Sequence, residues 1–119
     1  MDVRLLSDDE LMKACAGKQA QALGELVRRY QDPLLGFLAR FLGDPRLAED
    51  LAQEAFMRVY AKASTYKPGP KFTTWLYTIA ANLARDAAKY ARRHPAGHLE
   101  PAAAALRANE PDPSDGVLR

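Results

Sequence analysis

The chain has 119 residues, enough for one domain with a core of its own plus a tail. No apolar run approaches the ~20 residues of a membrane-spanning helix, the N-terminus lacks a basic segment followed by an apolar one, and the single cysteine, Cys15, excludes a disulfide framework or thiolate cluster. Cys15 sits among apolar positions and reads as a buried structural thiol, which fits a reducing, cytoplasmic location. The net charge of +2 hides an asymmetry: residues 1–57 carry seven Lys/Arg against ten Asp/Glu, residues 58–93 carry eight against Asp86 alone, and residues 94–119 carry two against four. An acidic front and a basic back half suit two different partners, or two solvated faces.

Four helices are predicted, and no strand. Ser7 with Glu10 three residues on is a capping box, opening a helix that Gly17 ends near residue 16. A second helix is predicted over about 19–42, with Leu23, Leu26, Val27, Tyr30, Leu34, Phe37, Leu38 and Phe41 at helical spacing and Gly43 closing it. Asp32-Pro33 falls inside it, so a kink or break is expected there. Asp44-Pro45 starts a third helix, to about residue 63, whose inward face is Leu47, Leu51, Ala55 and Val59, with Ala48, Ala52 and Phe56 beside them. Residues 64–70 read as a loop held out of helix by Pro68-Gly69-Pro70. A fourth helix is predicted over about 71–93, with Phe72, Leu76, Ile79, Ala80, Leu83, Ala87 and Tyr90 inward. Residues 94–119, punctuated by prolines, read as a flexible linker or tail in which 101–109 could form only a marginal Ala-rich helix. The expected fold is all-α: a compact bundle of three to four helices in residues 1–93.

Two surfaces stand out. On the third helix, Glu49, Asp50, Gln53 and Glu54 fall outward, with Asp50, Gln53 and Glu54 in one patch and Arg58 partly offsetting Glu54. This is a solvated face or a docking face for a basic partner. On the fourth helix, Thr74, Thr78, Asn82, Arg85, Lys89, Arg92 and Arg93 lie opposite the apolar stripe. Lys62, Lys67 and Lys71 extend the positive region across the loop, and Tyr66, Phe72, Trp75 and Tyr77 interleave with it. Cations track phosphates and aromatic faces accept splayed bases. Phe72 is expected in the core; Trp75, off the centre of the stripe, suits core or surface equally. His94 and His98 flank Pro95 and have no third ligand nearby, so no metal site is expected. No phosphate-cradling glycine loop and no nucleophile–base set is present, so neither a cofactor nor an enzyme activity is expected.

The run Ala48-Glu49-Asp50-Leu51-Ala52-Gln53-Glu54-Ala55-Phe56, followed after a loop by Phe72-Thr73-Thr74-Trp75-Leu76-Tyr77-Thr78-Ile79-Ala80-Ala81-Asn82 with Asp86, resembles region 2 of a bacterial RNA polymerase sigma factor. It is most similar to the extracytoplasmic-function (ECF) group of the sigma-70 family, over about residues 18–93. The resemblance implies that Asp50, Gln53 and Glu54 dock on the clamp-helix coiled coil of the polymerase β′ subunit. It also implies that the 67–71 loop, Trp75, Asn82 and the basic face through Arg93 recognise and melt the promoter minus-ten element by capturing a flipped non-template base. Lys89 stands where family members commonly carry Arg, and Lys18 near where many carry an acid.

The family's second, helix-turn-helix domain has no counterpart in this sequence, which leaves two expectations open: an excised region 2 with its linker, or a natural short protein. The implied function is transcription initiation, with polymerase core and single-stranded promoter DNA as partners. The alternative is a negative effector that occupies polymerase or an anti-sigma factor without initiating.

Overall fold

The computed structural model describes residues 2–69 and 71–93. Helix α1, Asp8–Ala16, begins at the predicted capping box: Glu10 N–H donates to Ser7 Oγ at 3.1 Å, and Ser7 N–H donates to Glu10 Oε1 at 2.8 Å. Two orphan donors of the first turn are thereby satisfied. Gly17 caps the C-terminus as expected. Lys18 then turns the chain with φ of 63°, a left-handed conformation rare for a side chain of this kind. Its ammonium lies 5.2 Å from the centre of the Tyr60 ring, a cation–π contact that holds it there.

Helix α2, Ala20–Leu42, runs unbroken through Pro33. The break expected at Asp32-Pro33 does not occur. Proline removes one backbone donor from the ladder, while Leu34 and Leu38, both fully buried, hold the helix beyond it in the core. Gly43 at φ 69° ends α2, its N–H donating to the Ala39 carbonyl at 2.8 Å. Helix α3, Pro45–Ala61, starts where predicted, with Asp44 Oδ1 accepting from the N–H groups of Arg46 and Leu47 at 3.0 and 3.2 Å. Helix α4, Phe72–Arg93, completes the set. Two short 3-10 turns, Val3–Leu5 and Ala63–Thr65, were not predicted; three residues carry too little periodicity to be read from sequence. The all-α bundle expected from sequence is observed, with no strand among the described residues. The expectations for the 94–119 tail lie outside those residues.

The core is built from one stripe per helix: Leu11, Met12 and Cys15 of α1, Leu26, Leu34 and Leu38 of α2, Leu51 and Val59 of α3, and Leu76, Ile79 and Leu83 of α4. Helix α2 packs against α1, α3 and α4, so it is the central element. The whole inward face predicted for α3 is buried. That of α2 is not: Phe41 is 48 % exposed, and Leu23 and Val27 are only half-buried. Cys15 is buried as expected, and burial pushes its thiol up, away from the reactive thiolate.

Glu25 enters this core as a carboxylate. It takes Arg28 Nε and Nη2 at 2.9 and 2.7 Å and Arg29 Nε at 2.7 Å. Arg29 reaches further, to Asp8 Oδ1 at 3.0 Å and to the carbonyls of Leu6 and Arg4 at 2.7 and 3.2 Å. One guanidinium thus ties the N-terminal segment and α1 to the central helix, and no buried side-chain polar atom of the described residues lacks a partner.

Candidate functional site

The fourth helix places its polar residues at steps of three and four, so Thr74, Thr78, Asn82, Arg85 and Lys89 form one row running to Arg92 and Arg93. Thr74, Arg85, Lys89, Arg92 and Arg93 are exposed; Thr78 and Asn82 are half-buried. Lys67 and Lys71, both exposed, flank the start of the row. Among the described residues, none of Lys67, Lys71, Arg85, Lys89, Arg92 or Arg93 is salt-bridged to a carboxylate. An unneutralised cationic row of this kind is suited to phosphates. Two pairs within the row are already engaged locally. Thr78 Oγ1 donates to the Thr74 carbonyl at 2.7 Å, and Arg85 Nη2 donates to Asn82 Oδ1. The second contact occupies the Asn82 amide oxygen and leaves its NH2 as a donor beside a guanidinium.

The aromatic groups do not form the exposed platform that their interleaving with lysines suggested. Phe72 is in the core, as expected. Trp75 is 8 % exposed, too little to offer a stacking face. Its ring packs edge-on to Tyr66 at 5.1 Å and tilted to Phe72 at 6.4 Å, and Tyr30 reaches Phe72 at 5.5 Å. Tyr77 is half-buried and edge-on to Phe37 at 5.2 Å. The hydrophobic gain from burying such rings exceeds what a surface position would return. Tyr30, Tyr66, Phe72 and Trp75 therefore pack on one another, and Tyr66 and Phe72 lie just before and just after the 67–71 stretch in sequence.

The acidic patch on α3 is also smaller than its spacing implied. Glu49 and Gln53 are exposed and Asp50 is half-exposed, but the Glu54 side chain is only 11 % exposed. It accepts from Arg58 Nε at 3.4 Å, and Arg58 is itself buried. Glu54 thus faces the protein more than solvent, because the arginine one turn on draws it inward. Beside Glu49 and Gln53 a groove of about 300 Å³ separates α2 from α3, walled by Leu23, Val27, Leu35, Phe56 and Met57. Met57 is 61 % exposed at its edge. Sequence reading missed this groove because its walls come from two helices. Its only trace was the surplus of apolar residues on α2, more than one buried stripe needs.

Sequence reading also missed the acids of α1. Asp8 accepts from Arg29 and from the Tyr30 hydroxyl, and Asp9 Oδ1 accepts from the Tyr66 hydroxyl at 2.6 Å. Burial first, then the Asp8 contact, pushes Tyr30 up to about 12; burial, then Asp9, pushes Tyr66 up as well. Both phenols remain donors. Among the described residues no group of His, Cys, Asp or Glu could hold a metal, and no helix is long and apolar enough to cross a membrane.

Among the described residues, the all-α bundle thus carries an exposed cationic row on α4 and, between α2 and α3, an apolar groove with Glu49 at its edge. Residues 26–94 match the family described as Sigma-70 region 2, and the chain belongs to that family. It is 41 % identical over 98 residues to the RNA polymerase sigma factor CarQ of Myxococcus xanthus, covering 82 % of this chain and 56 % of that one. It is 37 % identical over 79 residues to the RNA polymerase sigma-H factor of Pseudomonas aeruginosa, covering 66 % and 41 %. It is 43 % identical over 65 residues to the ECF RNA polymerase sigma factor SigW of Bacillus subtilis, covering 55 % and 35 %. These matches place it with the ECF group, as the sequence resemblance implied. The chain spans about half or less of the length of these curated relatives. No solved structure matches it.

Proposed function

We propose that this chain acts in transcription initiation: it docks on core RNA polymerase and holds the melted non-template strand of a promoter minus-ten element. Family membership and relatives that are RNA polymerase sigma factors support the general role. The observation that carries the strand-holding role is the row from Lys67 and Lys71 through Arg85, Lys89, Arg92 and Arg93, which meets no carboxylate among the described residues. Such a row binds backbone phosphate and is sequence-blind. Base preference then belongs to the 67–71 loop and to the Asn82 amide. Trp75 serves by packing against Tyr66 and Phe72. No bond is made or broken; the duplex opens because the bound single strand is lower in free energy than the paired one.

The docking role is assigned to Glu49, Asp50 and Gln53 with the groove beside them. An apolar groove with Glu49 and Gln53 in its lining fits an amphipathic helical partner with basic flanks. Glu54 contributes by fixing Arg58 rather than by reaching the partner.

Fluorescence anisotropy with a labelled single-stranded minus-ten oligonucleotide tests the DNA role. With about five phosphates engaged, log K should fall against log salt with a slope of roughly −3.5; a flat response overturns it. Asp50→Ala combined with Gln53→Ala should abolish binding to core polymerase at unchanged helicity, and retained binding overturns the docking assignment. In a transcription assay, initiation from a minus-ten template supports this reading, whereas inhibition of another sigma factor supports the negative-effector alternative.

A further inference from the structure

The first turn of α1 spends two neighbouring acids on two tyrosines from different parts of the fold. Asp8 takes the Tyr30 hydroxyl, and Asp9 takes that of Tyr66, 57 residues along the chain, at 2.6 Å. Tyr66 is the last residue before the 67–71 loop. Its N–H donates to the Ala63 carbonyl at 3.2 Å, and its ring is edge-on to Trp75 at 5.1 Å and to Phe72 at 6.1 Å. Both rings belong to the first turn of α4. Tyr66 is therefore pinned at its ring by the helix that carries the cationic row and at its hydroxyl by the helix at the other end of the chain.

The loop that follows has little else to hold it. Lys67, Pro68 and Gly69 are exposed and take part in no hydrogen bond among the described residues, and Gly69 has φ of 130°, open to few other residues. On its α1 side the loop borders a groove of about 380 Å³ lined by Asp9, Met12, Ala63, Tyr66 and Pro68, so packing there is incomplete. The Lys71 carbonyl accepts from Thr74 N–H at 3.0 Å, so residues 67–69 lie between two anchors, Tyr66 and the start of α4, and take their conformation from them. We propose that Asp9 is a positioning residue for base selection: through the Tyr66 hydroxyl, the first turn of α1 sets the conformation in which Lys67, Pro68 and Gly69 meet a single strand. This rests on the reading of that loop as the DNA-facing one.

The test uses the full chain with core polymerase and a single-stranded oligonucleotide library, read by selection and sequencing, with anisotropy on the preferred and a disfavoured sequence. Asp9→Ala and Tyr66→Phe should each weaken the preferred sequence by about three- to tenfold, the range of one lost hydrogen bond, and compress its advantage over the disfavoured one. The double variant should be no worse than either single, since both remove the same contact. Asp9→Asn, which keeps the acceptor oxygen, should restore most of the preference. Unchanged preference in both single variants, or losses that add in the double, overturns the proposal. Lys67→Ala with Lys71→Ala separates it from the reading beneath it. If that pair alters DNA binding while Asp9→Ala does not, only the positioning role falls; if neither does, the loop is not the DNA-facing element and both fall.

Discussion

Glu25 shows how one buried acid organises its neighbours. Hydrogen bonds from Arg28, then Arg29, hold its carboxyl down at about 2 against an ordinary 4.5. A folded-state value below the unfolded one means that its contribution to stability is complete above about 4.5 and is lost as pH falls through about 2. Urea titrations across that window should therefore show stability falling with acid in the native chain. Glu25→Gln should flatten that fall, and an unaltered profile would remove Glu25 from the account. The substitution Arg29→Ala reaches further than its charge, because the same guanidinium holds Asp8 and the Leu6 and Arg4 carbonyls. Lysine cannot replace it, having no planar fork to spread over so many acceptors. Caps were readable residue by residue: Ser7 with Glu10, Asp44 with Pro45, and Gly43 act locally and stand where the sequence put them. The partners of Asp9 and Trp75 were not readable, because nothing local distinguishes an acid that meets a tyrosine from one that meets water.

At the scale of the element, α4 divides cleanly. Its apolar stripe is buried from Phe72 to Ala87 and its cations are outside, as periodicity required. The boundary of the stripe was less legible, since Trp75 lies at its margin and a large ring takes whichever side a neighbour such as Tyr66 covers. Arg85→Ala combined with Lys89→Ala removes two exposed charges of the row proposed to bind phosphate. It should weaken single-strand binding uniformly across sequences and make the salt slope less negative by about 1.4. A change confined to particular bases would instead mean that these residues read sequence. Helix α2 teaches a different lesson. Pro33 lowers local helix propensity, yet the helix continues, because Leu34 and Leu38 bury fully only if it does.

For the molecule as a whole, the all-α class and the order of the four helices were legible because each helix has its own period and punctuation. The groove between α2 and α3 was not, since it exists only where Leu23 and Val27 of one helix face Phe56 and Met57 of another. The proposed function assigns one partner to each of these two surfaces.

The turns described above also bear on how the bundle assembles. Helix α1 meets α2 through Gly17, Lys18 and Gln19, and α2 meets α3 through Gly43 and Asp44, so both junctions form between near neighbours in sequence. Closing such short connections costs little chain entropy, and helical proteins rich in local contacts fold within about microseconds to milliseconds. The segment between α3 and α4 is longer and is anchored by Tyr66 against an acid near the other end of the chain. Stopped-flow refolding should thus show Asp9→Ala speeding unfolding while leaving the refolding rate nearly unchanged. That outcome would put the Asp9–Tyr66 contact after the rate-limiting step, and slowed refolding would put it before.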